Sequence, residues 1–216
     1  MFKRNPRSYA RTVLEFFYPR GGWYRAARYV IHRIRRLPDP AHRIARGVAA
    51  GVYVCFTPFF GLHFVIAALI AWIIRGNILA ALLATFVGNP LTFPLIAELS
   101  LRLGSRILDQ PVRIHLPRMV EAFGQATGDL WRNLLSLFLA SSDADWSRIA
   151  RFWDSVMLPY LVGGILPGLA AALVAYFLTT PLINAYQKAR IKRLRKRYAK
   201  RLAESAARAD ADDEPR

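Results

Sequence analysis

Three stretches without a charged side chain dominate the pattern of the chain: Gly47–Ile74, Gly76–Ala97 and Ser155–Gln187, of 28, 22 and 33 residues. Each exceeds the roughly 18–20 apolar residues that call for lipid or a very large core. The first is interrupted by Thr57-Pro58-Phe59-Phe60-Gly61, where a missing backbone donor and a flexible glycine fall within four residues. It is therefore expected to form two helical pieces, Ile44–Phe56 and Leu62–Ile74, each about 20 Å long and too short for a roughly 30 Å hydrocarbon layer. The second repeats the plan: Ile78–Gly88, then Asn89-Pro90-Leu91-Thr92-Phe93-Pro94, then Leu95–Leu103, with Arg75-Gly76-Asn77 as a tight polar turn between the runs. The third, Leu158–Asn184, carries Gly163-Gly164 and Pro167-Gly168 near its start and a clean apolar stretch beyond them, and is predicted as a single transmembrane helix.

The flanks have a different period. Trp23, Ala27, Val30, Ile31, Ile34 and Leu37 recur at helical spacing, with arginines mostly on the other side, which predicts a helix on a membrane surface. Pro38 and Pro40 around Asp39 should end it, with a new helix from near Ala41. Residues 104–157 lack comparable apolar runs and predict interfacial helices: one has an apolar side at Leu130, Trp131, Leu134, Leu135, Leu137, Phe138 and Leu139, and another is capped from Asp143–Asp145. After Lys188, Ile191, Leu194, Tyr198 and Leu202 recur among nine Lys/Arg, predicting a second basic amphipathic helix, and Ala203–Arg216 has the composition of a disordered tail. The expected fold is thus an all-α helical integral membrane protein. It has a basic segment 1–40, a membrane domain 41–187 (apolar segments 44–74, 78–103 and 158–184) and a basic helix with an acidic tail over 188–216.

Composition sharpens this picture. The 54% hydrophobic content is high for a soluble chain, and three such runs in 216 residues leave too little polar surface to cover them. The formal charge of +17 is uneven: residues 1–46 hold 12 Lys/Arg against Glu15 and Asp39, residues 185–216 hold 11 against five acids, and residues 104–158 balance six against six. Cations beside apolar spans follow the positive-inside rule and the pull of anionic lipid, and do not call for nucleic acid. Three full spans would put the two basic ends on opposite sides. The charge rule wants both in the cytoplasm, so at least one interrupted run is expected to be re-entrant in a multi-pass protein of a bacterial inner membrane. Cys55, the only cysteine, sits in an apolar run, which excludes an intramolecular disulfide and a cysteine metal cluster. The first 46 residues lack the apolar core of a cleavable signal peptide.

The strings Phe56-Thr57-Pro58-Phe59-Phe60-Gly61-Leu62-His63, Arg75-Gly76-Asn77 and Gly88-Asn89-Pro90-Leu91-Thr92-Phe93-Pro94 resemble the bacterial membrane family called Domain of Unknown Function two-zero-six-two. The resemblance covers roughly Ala41–Leu108 and returns more loosely near Pro159–Tyr186. It implies a small inner-membrane protein of Gram-negative bacteria, sometimes joined to glycosyltransferase-like domains, and supplies no catalytic residues.

Broken apolar helices in matching positions point to a binding site near the membrane midplane, although Pro58, Gly61, Pro90 and Pro94 serve equally to shape kinks. The polar residues beside the breaks are the candidates for substrate contact: His63, Asn77, Asn89, Thr92, Glu98 and Arg102, with Arg75 expected to snorkel to the interface. Glu98 and Arg102 lie one helical turn apart and are expected to pair. No nucleophile with its base, phosphate loop or metal-ligand spacing is present, so neither catalysis nor a cofactor or metal is expected. The leading expectation is a protein that binds or translocates an anionic lipid or lipid-linked intermediate. The alternative is a non-catalytic anchor or assembly partner for envelope enzymes, and either suits a homo-oligomer, a dimer sensitive at Gly88 or Gly163.

Overall fold

A computed structural model of the chain describes residues 22–110, 116–138 and 145–212. Residues 1–21 of the basic segment, Leu139 of the expected apolar side, Asp143 of the expected cap and residues 213–216 of the tail lie outside the described residues. The described residues are helical, with no strand among them. In chain order they form α1 (Gly22–Arg35), α2 (Ala41–Val54), α3 (His63–Ile73), α4 (Ile78–Ala84, prolonged by a 3-10 turn Thr85–Val87), α5 (Phe93–Ile107), α6 (Leu116–Phe138), α7 (Ser147–Phe152, followed by a π-helical turn Trp153–Met157) and α8 (Leu158–Asp212).

The ends of these helices follow from their residues. Pro40, extended at φ −59° and ψ 148°, sits at the N-cap of α2, so this helix starts at the expected Ala41. Asn77 caps α4, its Oδ1 accepting the Ala80 amide at 2.6 Å. Pro94 falls in the first turn of α5, where its missing N–H has no intrahelical partner to lose. α3 and α5 end alike: Arg75 (φ 53°) and Asp109 (φ 52°) turn left-handed, and the next amides, of Gly76 and Gln110, close back on Ala71 O at 2.7 Å and Ser105 O at 2.9 Å.

The two interrupted runs take different paths. The first folds back on itself. Ala50 and Val54 of α2 pack against Ala67 and Ala71 of α3, and the Asn77 amide beyond α3 donates to Arg43 O at 2.9 Å near the start of α2. α4 then rises beside α2, with Gly47 against Asn77 and Ala80, Gly51 against Ala81 and Ala84, and Cys55 against Gly88. The second run continues into α5, which meets the start of α8 in antiparallel register, Gly104 at Pro159 and Ser100 at Gly163. α8 passes Phe56 at Gly164 and Gly168, and its Ile183 packs on Leu37, Ala41 and Ile44. Gln187 Nε2 finally donates to Asp39 O at 2.9 Å. From Pro159 to Gln187 the bundle is therefore about 40 Å tall at the usual helical rise. The basic residues of α1 and those after Gln187 leave from the same end.

Residue size is distributed inside out. The buried faces hold Ala45, Ala50, Ala67, Ala71, Ala80, Ala81, Ala84, Ala97 and Ser100, whereas Phe64, Leu69, Trp72, Leu95, Leu99, Leu166, Phe177 and Leu178 are exposed. A water-soluble core would bury the second set. α6 has the same inversion. Asp129, Asn133 and Ser136 are buried toward α7, where Asn133 Nδ2 donates to Asp145 O at 2.8 Å, while Leu130, Trp131, Leu134, Leu135 and Phe138 face outward. The apolar side read from the sequence is present and points away from the protein. Trp146 occupies the N-cap of α7 without a side-chain cap, and Asp145 just before it accepts the Ser147 amide at 2.9 Å.

Two features differ from the sequence reading. The apolar third run and the basic stretch after it are one continuous helix, α8, with Pro167 and Pro181 inside it, and it extends through Asp212 into the stretch whose composition suggested a tail. Gly88 and Gly163, expected at a subunit contact, abut Cys55 and Ser100 of the same chain. Among the described residues one helix is long and apolar enough to cross a membrane, and 22% of its apolar window is buried. His63–Ile73 and Ile78–Val87 are shorter apolar helices.

The glycine contacts give a controlled test. A Cβ on Gly104 would lie 1.7 Å from Pro159 O, whereas one on Gly124 of α6 meets nothing within 4 Å. Gly104→Ala should lose about 1–3 kcal/mol through overpacking, and Gly124→Ala should be neutral or gain up to about 1 kcal/mol. Circular dichroism melts of the two variants in detergent read the difference.

Candidate functional site

The first break is held by its own side chains. Thr57 Oγ1 donates to Val54 O at 2.7 Å, and His63 Nε2 lies 3.1 Å from Thr57 O, so this ring nitrogen carries the proton. Pro58 is buried, and Gly61, at φ +85°, takes a conformation that other L residues rarely adopt. Two backbone carbonyls of the break, those of Val54 and Thr57, are thereby partnered by side chains.

Asn89 and Thr92 close the second break reciprocally. Asn89 Oδ1 accepts the Leu91 and Thr92 amides at 2.9 and 3.2 Å, and its Nδ2 reaches Phe86 O at 3.3 Å. Thr92 Oγ1 accepts the Asn89 amide at 3.1 Å and donates to Val87 O. Both side chains are occupied in shaping the turn around Pro90.

The breaks meet through aromatic rings. Phe60 of the first break lies 4.6 Å from Phe93 of the second, 4.5 Å from Phe123 of α6, 5.8 Å from His63 and 6.2 Å from Tyr160 of α8, all centroid to centroid. Phe152 extends the knot through Phe123 at 4.9 Å. Nothing in the periodicity of the sequence marks this junction, because its rings come from five separate segments. Beside it, Ser100 Oγ and the Tyr160 hydroxyl are fully buried with no hydrogen-bond partner among the described residues. Such groups are exceptional in a folded protein and mark places where a polar contact is missing.

The other candidates sit apart. Glu98 and Arg102 pair with each other on α5, with Arg102 64% exposed. Asn77 lies at the basic end, where its Nδ2 donates to Asp39 Oδ2 while Arg43 pairs with Asp39 Oδ1 at 3.1 Å. With Gln187 on the Asp39 carbonyl, this knot ties the α1–α2 linker to α2, α4 and α8. The six candidate residues therefore fall into three groups: the break junction (His63, Asn89, Thr92), the α5 ion pair and the basic-end knot. Among the described residues, no three His, Cys, Asp or Glu side chains come together as a metal site would require.

The knot at Asp39 predicts coupling. Asn77→Ala should cost about 1–2 kcal/mol through the lost cap, and adding Asp39→Ala should cost less than the two single changes combined, by about 0.5 kcal/mol or more. A double-mutant cycle on unfolding in detergent measures this, and strict additivity would show that the two side chains do not cooperate.

Comparisons with curated proteins and with solved structures return no match. A family model described as "Uncharacterized protein conserved in bacteria (DUF2062)" matches residues 24–192, which include both breaks, the junction and the Asp39 knot, and the chain belongs to that family.

Proposed function

We propose that this chain is a multi-pass protein of the bacterial inner membrane that binds or moves an anionic lipid or lipid-linked intermediate. One observation carries the reading: two interrupted helices meet at Phe60 and Phe93, beside the partnerless hydroxyls of Ser100 and Tyr160, inside a bundle that turns its large apolar side chains outward. Broken helices at membrane depth are the usual place for a ligand, and they persist only where protein or a wet cavity shields the open backbone. The outward Phe, Leu, Trp and Ile side chains suit lipid, which favours small residues between helices. In this reading the α2–α3 hairpin is the re-entrant element, and the second run and α8 are the two crossings.

Charge supports the orientation and the sign of the ligand. Arg25, Arg28, Arg43, Arg46 and the basic stretch from Lys188 share one end of the bundle, where Asp39 is the acid of the knot. That end is cytoplasmic by the positive-inside rule, and it concentrates anionic lipid.

Cysteine accessibility tests the reading. On a Cys55→Ser background, single probes at Lys196 and Asp109 should label from the cytoplasmic and the opposite side respectively. Probes at Leu62 and Leu91, next to the breaks, should react with an aqueous maleimide. Labelling of both ends from one side would remove the second crossing, and silence at both breaks would make them packed kinks.

A second reading, a non-catalytic anchor or assembly partner for envelope enzymes, draws on the outward apolar side of α6, where Trp131 is 65% and Phe138 87% exposed. Exposed apolar patches of this kind mark interaction surfaces. Glutamate at both positions should then abolish function in cells while leaving the labelling pattern of the breaks intact.

A further inference from the structure

A pocket of about 420 Å³ opens at the end of the bundle away from Lys188, between the inner face of α6 and the α7 segment that leads into α8. Polar and apolar atoms both line it, and its walls carry Asp129, Arg132, Arg148 and Arg151. One carboxylate gathers the guanidiniums. Arg132 Nη2 donates to Asp129 Oδ1, and Arg148 Nη1 stands 3.8 Å from the same oxygen, beyond hydrogen-bond reach. Arg151 follows Arg148 by one helical turn and forms no ion pair among the described residues. Asp129 is buried, whereas the side chains of Arg132 and Arg148 are mostly exposed, so the acid is committed and the cations are free to meet a second anion. Asp145 also feels the charge of Arg148 and Arg151, but it is exposed, accepts the Ser147 amide and lies outside the pocket.

Three guanidiniums against one lining carboxylate leave two positive charges, which suit a dianion. Phosphate is the dianion whose oxygens guanidiniums bind through short, charge-assisted hydrogen bonds. The volume exceeds that of a bare phosphate, and Ala122, Ala126 and Phe152 offer apolar wall to an organic group attached to it. The turn Trp153–Met157, which supplies Ser155 and Val156 to the lining, is π-helical, a rare form that recurs at functional sites. Three of the five tryptophans, Trp131, Trp146 and Trp153, are exposed on these same elements, and exposed tryptophans gather at the headgroup level of a membrane. We propose that the α6–α7 pocket binds a phosphate group through Arg132, Arg148 and Arg151, and the tryptophans favour a lipid headgroup as its source. A headgroup source rests on the membrane placement above; the phosphate site itself asks nothing of the breaks.

The test is the melting temperature of the full chain in a non-ionic detergent, titrated with dioctanoyl phosphatidic acid, glycerol 3-phosphate and inorganic phosphate, with dioctanoylglycerol as the uncharged control. Phosphatidic acid should stabilise the wild type saturably, and dioctanoylglycerol should not. Arg151→Gln, which breaks no ion pair, should raise the half-saturating concentration roughly tenfold, as expected for loss of one charge-assisted contact. Gly128→Leu should abolish the shift without changing charge: a Cβ there meets nothing within 4 Å, so the side chain enters the pocket, and leucine is a better helix former than glycine. Arg106→Gln, near the end of α5 and outside the pocket, should leave the shift unchanged. Without ligand all three variants should melt no lower than the wild type, which separates a lost site from a lost fold. A saturable shift with glycerol 3-phosphate or inorganic phosphate at similar concentration, weakened by the same two pocket variants, keeps the site and makes its source a soluble phosphate. An equal shift with dioctanoylglycerol, no saturable shift with any of the three phosphates, or shifts that the pocket variants leave intact or that Arg106→Gln weakens as much overturns the assignment. The cysteine labelling of the breaks is a separate readout, so either assignment can fall while the other stands.

Discussion

At Gly47, Gly104 and Gly163 a Cβ would lie 2.1, 1.7 and 1.8 Å from a carbonyl oxygen of the neighbouring helix, so these helices meet backbone to backbone. In water, helices associate by hiding large apolar side chains from solvent. Where the surroundings are themselves apolar that gain is absent, and contact energy comes from close van der Waals approach between small residues. The rest of the bundle is built on these close approaches. α2 and α4 lock through Gly47 and Gly51, α5 and α8 through Gly104 and Gly163, and the large side chains are displaced to the outside. The same closeness brings the two breaks within ring contact and leaves Ser100 and Tyr160 hydroxyls sealed between helices.

Much of the local structure was legible because it depends on neighbours in sequence. Pro40 before Ala41, the turn around Pro90 and the Glu98–Arg102 pair all act within four residues, and each lies where the sequence suggests; the Asn77 cap is equally local, but the sequence reading took that residue as part of a polar turn. The direction of a helix face was not legible. Periodicity identifies the apolar stripe of α6 but not whether it points to a core or away from one, and here Asp129 and Asn133 face inward. Nor does the sequence distinguish the run that folds back from the run that continues. That choice rests on long-range partners such as Asn77 with Asp39, and Gln187 with Asp39, which are 148 residues apart in the second case.

The candidate residues divide along the same line. Asn89 and Thr92 stand out in sequence as polar residues at a break, yet their hydrogen-bonding capacity is consumed by the turn they shape. Phe60, Phe93, Phe123, Phe152 and Tyr160 form one knot only after five segments converge. Polarity beside a break was the visible signal, and the informative groups are those whose polarity the fold leaves unanswered.

α8 was divided in the sequence at Gln187 because its solvation changes there from apolar to basic. Helix formation does not follow that boundary: Lys, Arg, Leu and Ala are all good helix formers, and the 55-residue helix runs straight through it. The basic stretch is therefore joined to the apolar one by helix and not by a loop. It is the outer arm of a helix whose inner arm packs against α2 and α5, so a tilt of the whole helix would be enlarged in displacement at the charged tip. A repacking of a fraction of an ångström at Gly163 or Gly164 would thus be read out far from the bundle as a swing of positive charge.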